Sequence, residues 1–186
     1  NTSRYFEYYF SRYPHIIRKN RNSAAIIDGT ETDDELKSLG SDVFSYFGLG
    51  CRSISKIFVP EEYDLNKVTA EWKCYSDVIN HNKYANNFDY NKAIYLINNE
   101  MFIDTGYVLL KESSALASPV AVLFYEKYSS IEKVYDLLKQ MDQEIQCISG
   151  KGHVPFGKAQ SPQLWDYADG RDILEFLLKK KQAEIS

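Results

Sequence analysis

Tyr46-Phe47-Gly48-Leu49-Gly50-Cys51-Arg52-Ser53 stands where a helix stops and a strand begins, and its reading decides the fold. Upstream, Thr32-Asp33-Asp34-Glu35 has the form of a capping box, a threonine N-cap with a glutamate three residues on. Leu36, Leu39, Val43, Phe44 and Phe47 then recur at helical spacing and give one apolar stripe for a core to cover. Gly48 and Gly50 end that helix, because they accept backbone angles that a side chain would forbid. Residues 52–59 follow as a strand, closed by Pro60. Cys51 is thereby held at a junction between elements, among glycines and polar residues, where a thiol can be reached.

Working outward, residues 1–13 carry six aromatics (Tyr5, Phe6, Tyr8, Tyr9, Phe10 and Tyr13) and read as a helix that packs them on a neighbour. Pro14 ends it. The basic run Arg18-Lys19-Asn20-Arg21 reads as solvated surface, with a grip on a nucleotide phosphate as the functional alternative. Ser23-Ala24-Ala25-Ile26-Ile27 is a buried strand, turned by Asp28-Gly29. Downstream, Glu61-Glu62 open a helix to about Lys73, and residues 76–99 form two helical pieces with an Asn-rich joint at 81–87. In the second piece, residues 93–97 supply the apolar face. Strands follow at 101–103, 107–110 and 120–125, then a helix capped by Ser130, a buried strand at 145–149, a loop from 150 to 162 and a closing helix over 171–181. Strands alternating with helices predict an α/β domain, a layered sheet with several parallel pairs flanked by helices.

The chain has 186 residues, enough for one domain, with 44% hydrophobic and 15% aromatic content to fill a core. A formal net charge of -4 argues against a nucleic-acid partner, which would want a basic excess. No apolar run reaches the roughly 18 residues of a membrane span, and no signal peptide is read at the start. Three cysteines without close spacing make neither a disulfide framework nor a zinc site, so a reduced, cytoplasmic setting is expected and no metal is implied. The first residue is Asn1 rather than methionine, which reads as a fragment or a processed product.

A reactive cysteine needs exposure and something that favours the thiolate. Cys147, within Ile-Gln-Cys-Ile, reads as a small buried hydrophobe, and Cys74, near a helix end, as structural. Cys51 differs by its Gly-Leu-Gly approach, which can bare backbone N–H groups to an anion. A nucleophile and an inert thiol remain equally open on those grounds. His15, His81 and His153 show no ligand spacing and read as loop or interface residues, His153 alone lying beside a loop that could touch substrate.

Helix, then Phe47-Gly48-Leu49-Gly50-Cys51-Arg52-Ser53, then a strand ending Phe58-Val59-Pro60, resembles the active-site cysteine segment of the aldehyde dehydrogenase superfamily. Ala117-Ser118-Pro119-Val120 is similar to its phenylalanine-glycine-proline-valine segment, and Val154-Pro155-Phe156-Gly157-Lys158 resembles its late proline-phenylalanine-glycine loop. Order and spacing agree over nearly the whole chain. With residues 17–21 and 164–170 added, the run looks most like the bacterial fatty acyl-CoA reductases of the bioluminescence type.

That resemblance implies a catalytic domain, residues 1–186, of an NAD(P)H-dependent acyl-CoA reductase. Cys51 would be the catalytic nucleophile, Gly48 and Gly50 its oxyanion and loop support, Phe47, Phe156 and Gly157 substrate contacts, and Pro119 a cofactor contact. Hydrolytic members carry a general-base glutamate roughly thirty residues before the cysteine, to activate water. Here Ile16, Ile17 and Arg18 stand around that place. The superfamily's ribose-holding glutamate is also absent, with Ser114 and Ala115 at its position and Glu112 a little earlier. No Gly-rich phosphate loop follows a strand and opens a helix. The implied NADPH or NADH would then be bound mainly by the protein's own N-terminal cofactor domain, and this part alone would transfer no hydride. Implied partners are an acyl-CoA or acyl-protein thioester, that cofactor domain, and a second copy in a homo-oligomer. An acyl-phosphate reductase, a CoA-acylating aldehyde dehydrogenase and a non-catalytic interaction domain stay open as alternatives.

Overall fold

A computed structural model describes residues 2–17 and 20–183. In chain order the elements are α1 (Thr2–Phe10), β1 (Asn22–Ile26), α2 (Asp33–Phe44), β2 (Ile54–Pro60), α3 (Leu65–Glu71), α4 (Asn82–Ile97), β3 (Ile103–Asp104), β4 (Leu109–Glu112), β5 (Val122–Tyr128), α5 (Ile131–Gln140), β6 (Ile145–Ser149) and α6 (Ile173–Ala183). The strands form one six-stranded sheet in the order β3-β4-β5-β2-β1-β6. Every neighbouring pair is parallel except β3 with β4. This is the expected mixed α/β sheet flanked by helices.

Side chains on successive strand residues point to opposite faces, and the core divides accordingly. Ala25, Ile27, Ile57, Val59, Leu110 and Leu123 face α2 and α3, where Leu36, Leu39, Val43 and Val68 meet them around Trp72. On the other face, Ala24, Ile26 and Phe58 meet Val134 and Leu138 of α5, while Leu109, Val122 and Phe124 meet Tyr84, Phe88 and Tyr95 of α4. Strands β1 and β2, covered on both faces, are nearly all buried.

Several expectations shift. The capping box at Thr32 forms in full, but α2 stops at Phe44, short of the glycines. The helix predicted from Glu61 starts at Leu65, capped by Asp64, and a 3-10 segment, Trp72–Asn80, takes over from it. On α4 the buried residues are Tyr84, Phe88, Asn91 and Tyr95, whereas Leu96 and Ile97 face solvent. Helix α1 forms where it was expected, yet none of its aromatics is buried against a neighbour. Among the described residues no helix is long and apolar enough to cross a membrane.

Candidate active site

The residues between α2 and β2 make an unusual turn. Tyr46 (φ 54) and Phe47 (φ 59) adopt the left-handed conformation, followed by Gly48 (φ 73). Two consecutive aromatic residues in that region cost on the order of 1–3 kcal/mol each, and such strain persists only where the surroundings over-determine it. Here the Phe47 ring is wedged against His81 and Tyr84, with ring centroids 4.4 Å and 6.3 Å away. Phe47 therefore leaves the α2 stripe to which its spacing assigned it. Gly50 serves closeness rather than a special φ, since a Cβ there would lie 3.1 Å from the Ser53 hydroxyl.

Cys51 follows on a backbone pinned from three sides. Its carbonyl accepts from Ser23 Oγ at 2.9 Å, and the same hydroxyl accepts from the Cys147 N–H at 3.1 Å. The Ser53 N–H donates to the Gly50 carbonyl at 2.9 Å and closes the turn. Ser53 Oγ donates to the Ser45 carbonyl at 3.2 Å and accepts from Gln160 Nε2 at 3.1 Å. Arg52 Nε donates to the Ala159 carbonyl, and its guanidinium lies 3.7 Å from the Asp166 carboxylate. The Cys51 thiol itself is free and exposed. No described residue accepts from the backbone N–H of Gly50 or Cys51. An exposed thiol on a fixed turn, beside N–H donors that no described residue engages, has the parts needed for attack on a carbonyl.

Asp42, on the last turn of α2, is 1% exposed. It accepts from the Gly157 N–H at 2.7 Å and the Ala159 N–H at 3.1 Å. Burial pushes its carboxyl up to about 6, against the pull of those two N–H groups and of the Arg52 charge. Its sequence signal was a carboxylate three residues after Leu39, on the apolar face. Ser23 carried a similar signal, a hydroxyl inside a buried strand.

The other expected site residues fall into two groups. Phe47, Gly48 and Pro119 meet around a cavity of about 20 Å³, together with Tyr84 and Ser118. Phe156 lies elsewhere, in a cleft of about 470 Å³ beside Asp28, Glu35 and Ser38. Phe47 and Phe156 thus line different cavities. Gly157 (φ 79) sits against α2, where a Cβ would come within 3.1 Å of Ser38 Cβ.

Cys147 is buried, which pushes its thiol up, whereas Cys74 is exposed, with its sulfur 3.5 Å from the Glu71 carbonyl. His15 pairs with the Tyr13 carbonyl, and His153 lies beside Tyr135. Ser114 uses its carbonyl to accept from Lys56, a lysine 1% exposed on β2 that also pairs with Glu126 of β5. Of the basic run, Arg18 and Lys19 lie outside the described residues, and Arg21 donates to the Asp142 carbonyl. Among the described residues no group of three His, Cys, Asp or Glu could hold a metal.

A dinucleotide pyrophosphate fits poorly at the β1–α2 turn. Glu31 already takes the N–H groups of Asp28 and Gly29, Thr32 takes that of Glu35, and Asp33, Asp34 and Glu35 fill the first turn with negative charge.

No protein-family model matches the sequence, and no curated protein matches it. Among solved structures the chain is similar to an NAD-dependent aldehyde dehydrogenase from Burkholderia multivorans, with 11% identity and a TM-score of 0.47 over 71% of this chain and 31% of that one. It is also similar to an NADP-dependent glyceraldehyde-3-phosphate dehydrogenase from Bacillus halodurans C-125, complexed with NADP. The values there are 17% identity and a TM-score of 0.42 over 70% of this chain and 33% of that one. The chain spans about a third of the length of each. At such TM-scores neither likeness carries a residue's role across.

Proposed function

We propose that this chain is the cysteine-bearing catalytic domain of an acyl-CoA reductase of the aldehyde dehydrogenase superfamily, with Cys51 as nucleophile. The observation that carries the reading is the Cys51 turn, which joins an exposed thiol to a fixed backbone with two N–H groups that no described residue engages. The order of the cysteine, serine-proline and proline-phenylalanine-glycine segments supports it.

In this mechanism the Cys51 sulfur, as thiolate, attacks the acyl thioester carbonyl. A sulfur–carbon bond forms, and the N–H of Cys51, with that of Gly50, donates to the oxyanion. The oxyanion collapses, the bond to coenzyme A breaks, and its thiolate leaves and takes a proton from solvent. The acyl group stays on Cys51. Ile16 and Ile17 stand where hydrolytic relatives need a carboxylate, which favours keeping the thioester for reduction over losing it to water. Gly48 fixes the turn, Phe47 and Pro119 form one wall near it, and Phe156 and Gly157 belong to the loop behind α2. Reduction to the aldehyde calls for NADPH or NADH, for which the β1–α2 turn is no cradle, so we assign its binding to a separate cofactor domain. Acyl transfer is the half of the reaction that this chain's own residues perform.

Cys51→Ala in the full-length protein should abolish reductase activity, and retained activity would end the proposal. Comparing acyl-CoA, acyl phosphate and free aldehyde as substrates separates this reading from its nearest enzymatic relatives. A second reading, an interaction domain, is favoured by the uncovered aromatics of α1. It predicts that no acyl group is ever found on Cys51.

A further inference from the structure

We infer that Asp42 is a positioning residue for Cys51, acting through the 157–160 loop as a splint between α2 and the turn that carries the thiol. This rests on the nucleophile reading above.

A carboxylate with 1% exposure on an apolar helix face is costly unless its oxygens are satisfied. Both oxygens of Asp42 are satisfied, and both by backbone N–H groups of one loop, those of Gly157 and Ala159. The loop is fitted to receive them. Gly157 presses on Ser38 with a left-handed φ, and Ala159 is fully buried. From the far side of the same loop two further bonds run to the residues that follow Cys51. The Ala159 carbonyl accepts from Arg52 Nε, and Gln160 Nε2 donates to Ser53 Oγ. Ala159 therefore carries Asp42 on its N–H and Arg52 on its carbonyl. Movement of the carboxylate is passed through one residue, Ala159, to the neighbour of the nucleophile.

The titratable and charged groups that face Asp42 come from three elements: Arg52 of the turn, whose charge pulls the carboxyl down against its burial, and Tyr75 of the 3-10 segment and Cys147 of β6, both pushed up by burial and by the Asp42 charge. Arg52 is the cation among them. The ionised carboxylate grips the loop N–H groups more strongly than the neutral acid, because charge-assisted bonds are stronger. The splint is therefore firm at neutral pH and slackens as Asp42 takes up its proton near pH 6.

The test uses the full-length protein and two reactions of one thiol. Iodoacetamide needs only an exposed Cys51 thiolate, while acyl transfer from a long-chain acyl-CoA needs that thiolate and also the N–H groups in place. In Asp42→Asn, acyl transfer should fall on the order of tenfold, the scale of a hydrogen bond to a charged group. Alkylation of Cys51, read against Cys74 in the same molecule, should stay within about twofold, because exposure is unchanged. In the wild type, acyl transfer divided by alkylation should decline below about pH 6, and the variant should lack that decline. Equal acyl transfer with an unchanged pH profile in the folded variant would show that Asp42 only stitches the fold. If Asp42→Asn fails to fold, Gln160→Leu, which leaves Asp42 and both its bonds in place, must lower acyl transfer at an unchanged Tm. A wild-type rate there would overturn the inference. No acyl group on Cys51 in the wild type would instead sink the nucleophile reading, and the positioning role with it.

Discussion

The Cys51 turn and helix α1 both leave large side chains in water, yet they are held in opposite ways. Tyr46 and Leu49, on the turn, are 70% and 71% exposed, comparable with Tyr8 and Tyr9 of α1 at 79% and 67%. Around the turn, however, Ser23 of β1 holds the Cys51 carbonyl, the Ser53 hydroxyl holds the Ser45 carbonyl just after α2, and Gln160 of the 157–160 loop donates to that same hydroxyl. Helix α1 has no buried residue at all. Side-chain exposure is therefore no measure of order; what fixes a segment is where its backbone groups find partners. A site that needs a reachable thiol in one geometry wants the first arrangement.

The largest test of this contrast is Trp72→Ala. Trp72 is fully buried, donates its indole N–H to the Leu36 carbonyl at 2.8 Å and meets Phe44 edge-on at 5.7 Å, so it seats the helix that leads into the turn. Its loss should cost about 3–5 kcal/mol in urea unfolding, and a cost below about 1 kcal/mol would break the account of what seats α2.

Asp42 comes next, with a defined sign. Its folded-state carboxyl is raised from 3.8 to about 6, so the folded protein binds this proton more tightly than the unfolded chain. The resulting stability is fully present below the unfolded value of 3.8 and is lost as pH rises through about 6, on the order of 3 kcal/mol across the window. Unfolding midpoints at low and neutral pH should show this slope in the wild type and a flatter one in Asp42→Asn. An identical slope in both would remove the buried carboxylate from the account.

Ser23→Ala is a smaller change. It strips one hydroxyl from both the Cys51 carbonyl and the Cys147 N–H and should cost about 1–2 kcal/mol. Tyr8→Ser on α1 should change stability by less than about 0.5 kcal/mol, and a cost above 1 kcal/mol would mean that the helix is held by contacts of its own.

Local signals carried much of the fold. The Thr32 capping box, the apolar run of β1 and the helix after Ser130 each depend on neighbours in sequence, and each formed. The break after Phe44 was not legible, because the left-handed turn is held through Phe47 by His81 and Tyr84 from far along the chain. Lys56 passed unnoticed for a similar reason, as the Glu126 that permits a buried lysine arrives only when β5 pairs with β2. For the site, Cys51 stood out by its glycines. Asp42 and Ser23 showed only as polar residues at apolar positions, since their partners are backbone N–H and carbonyl groups that no side-chain pattern announces.

The central claim is that Cys51 is a nucleophile that accepts an acyl group. The most direct measurement maps by mass spectrometry which cysteine reacts at limiting iodoacetamide near neutral pH, and then which one takes the acyl group from a long-chain acyl-CoA, in the full-length protein. The account predicts that Cys51 is alkylated ahead of Cys74 and Cys147 and is the residue acylated. Reaction at Cys51 no faster than at Cys74, with no acyl group transferred to it, would contradict the account.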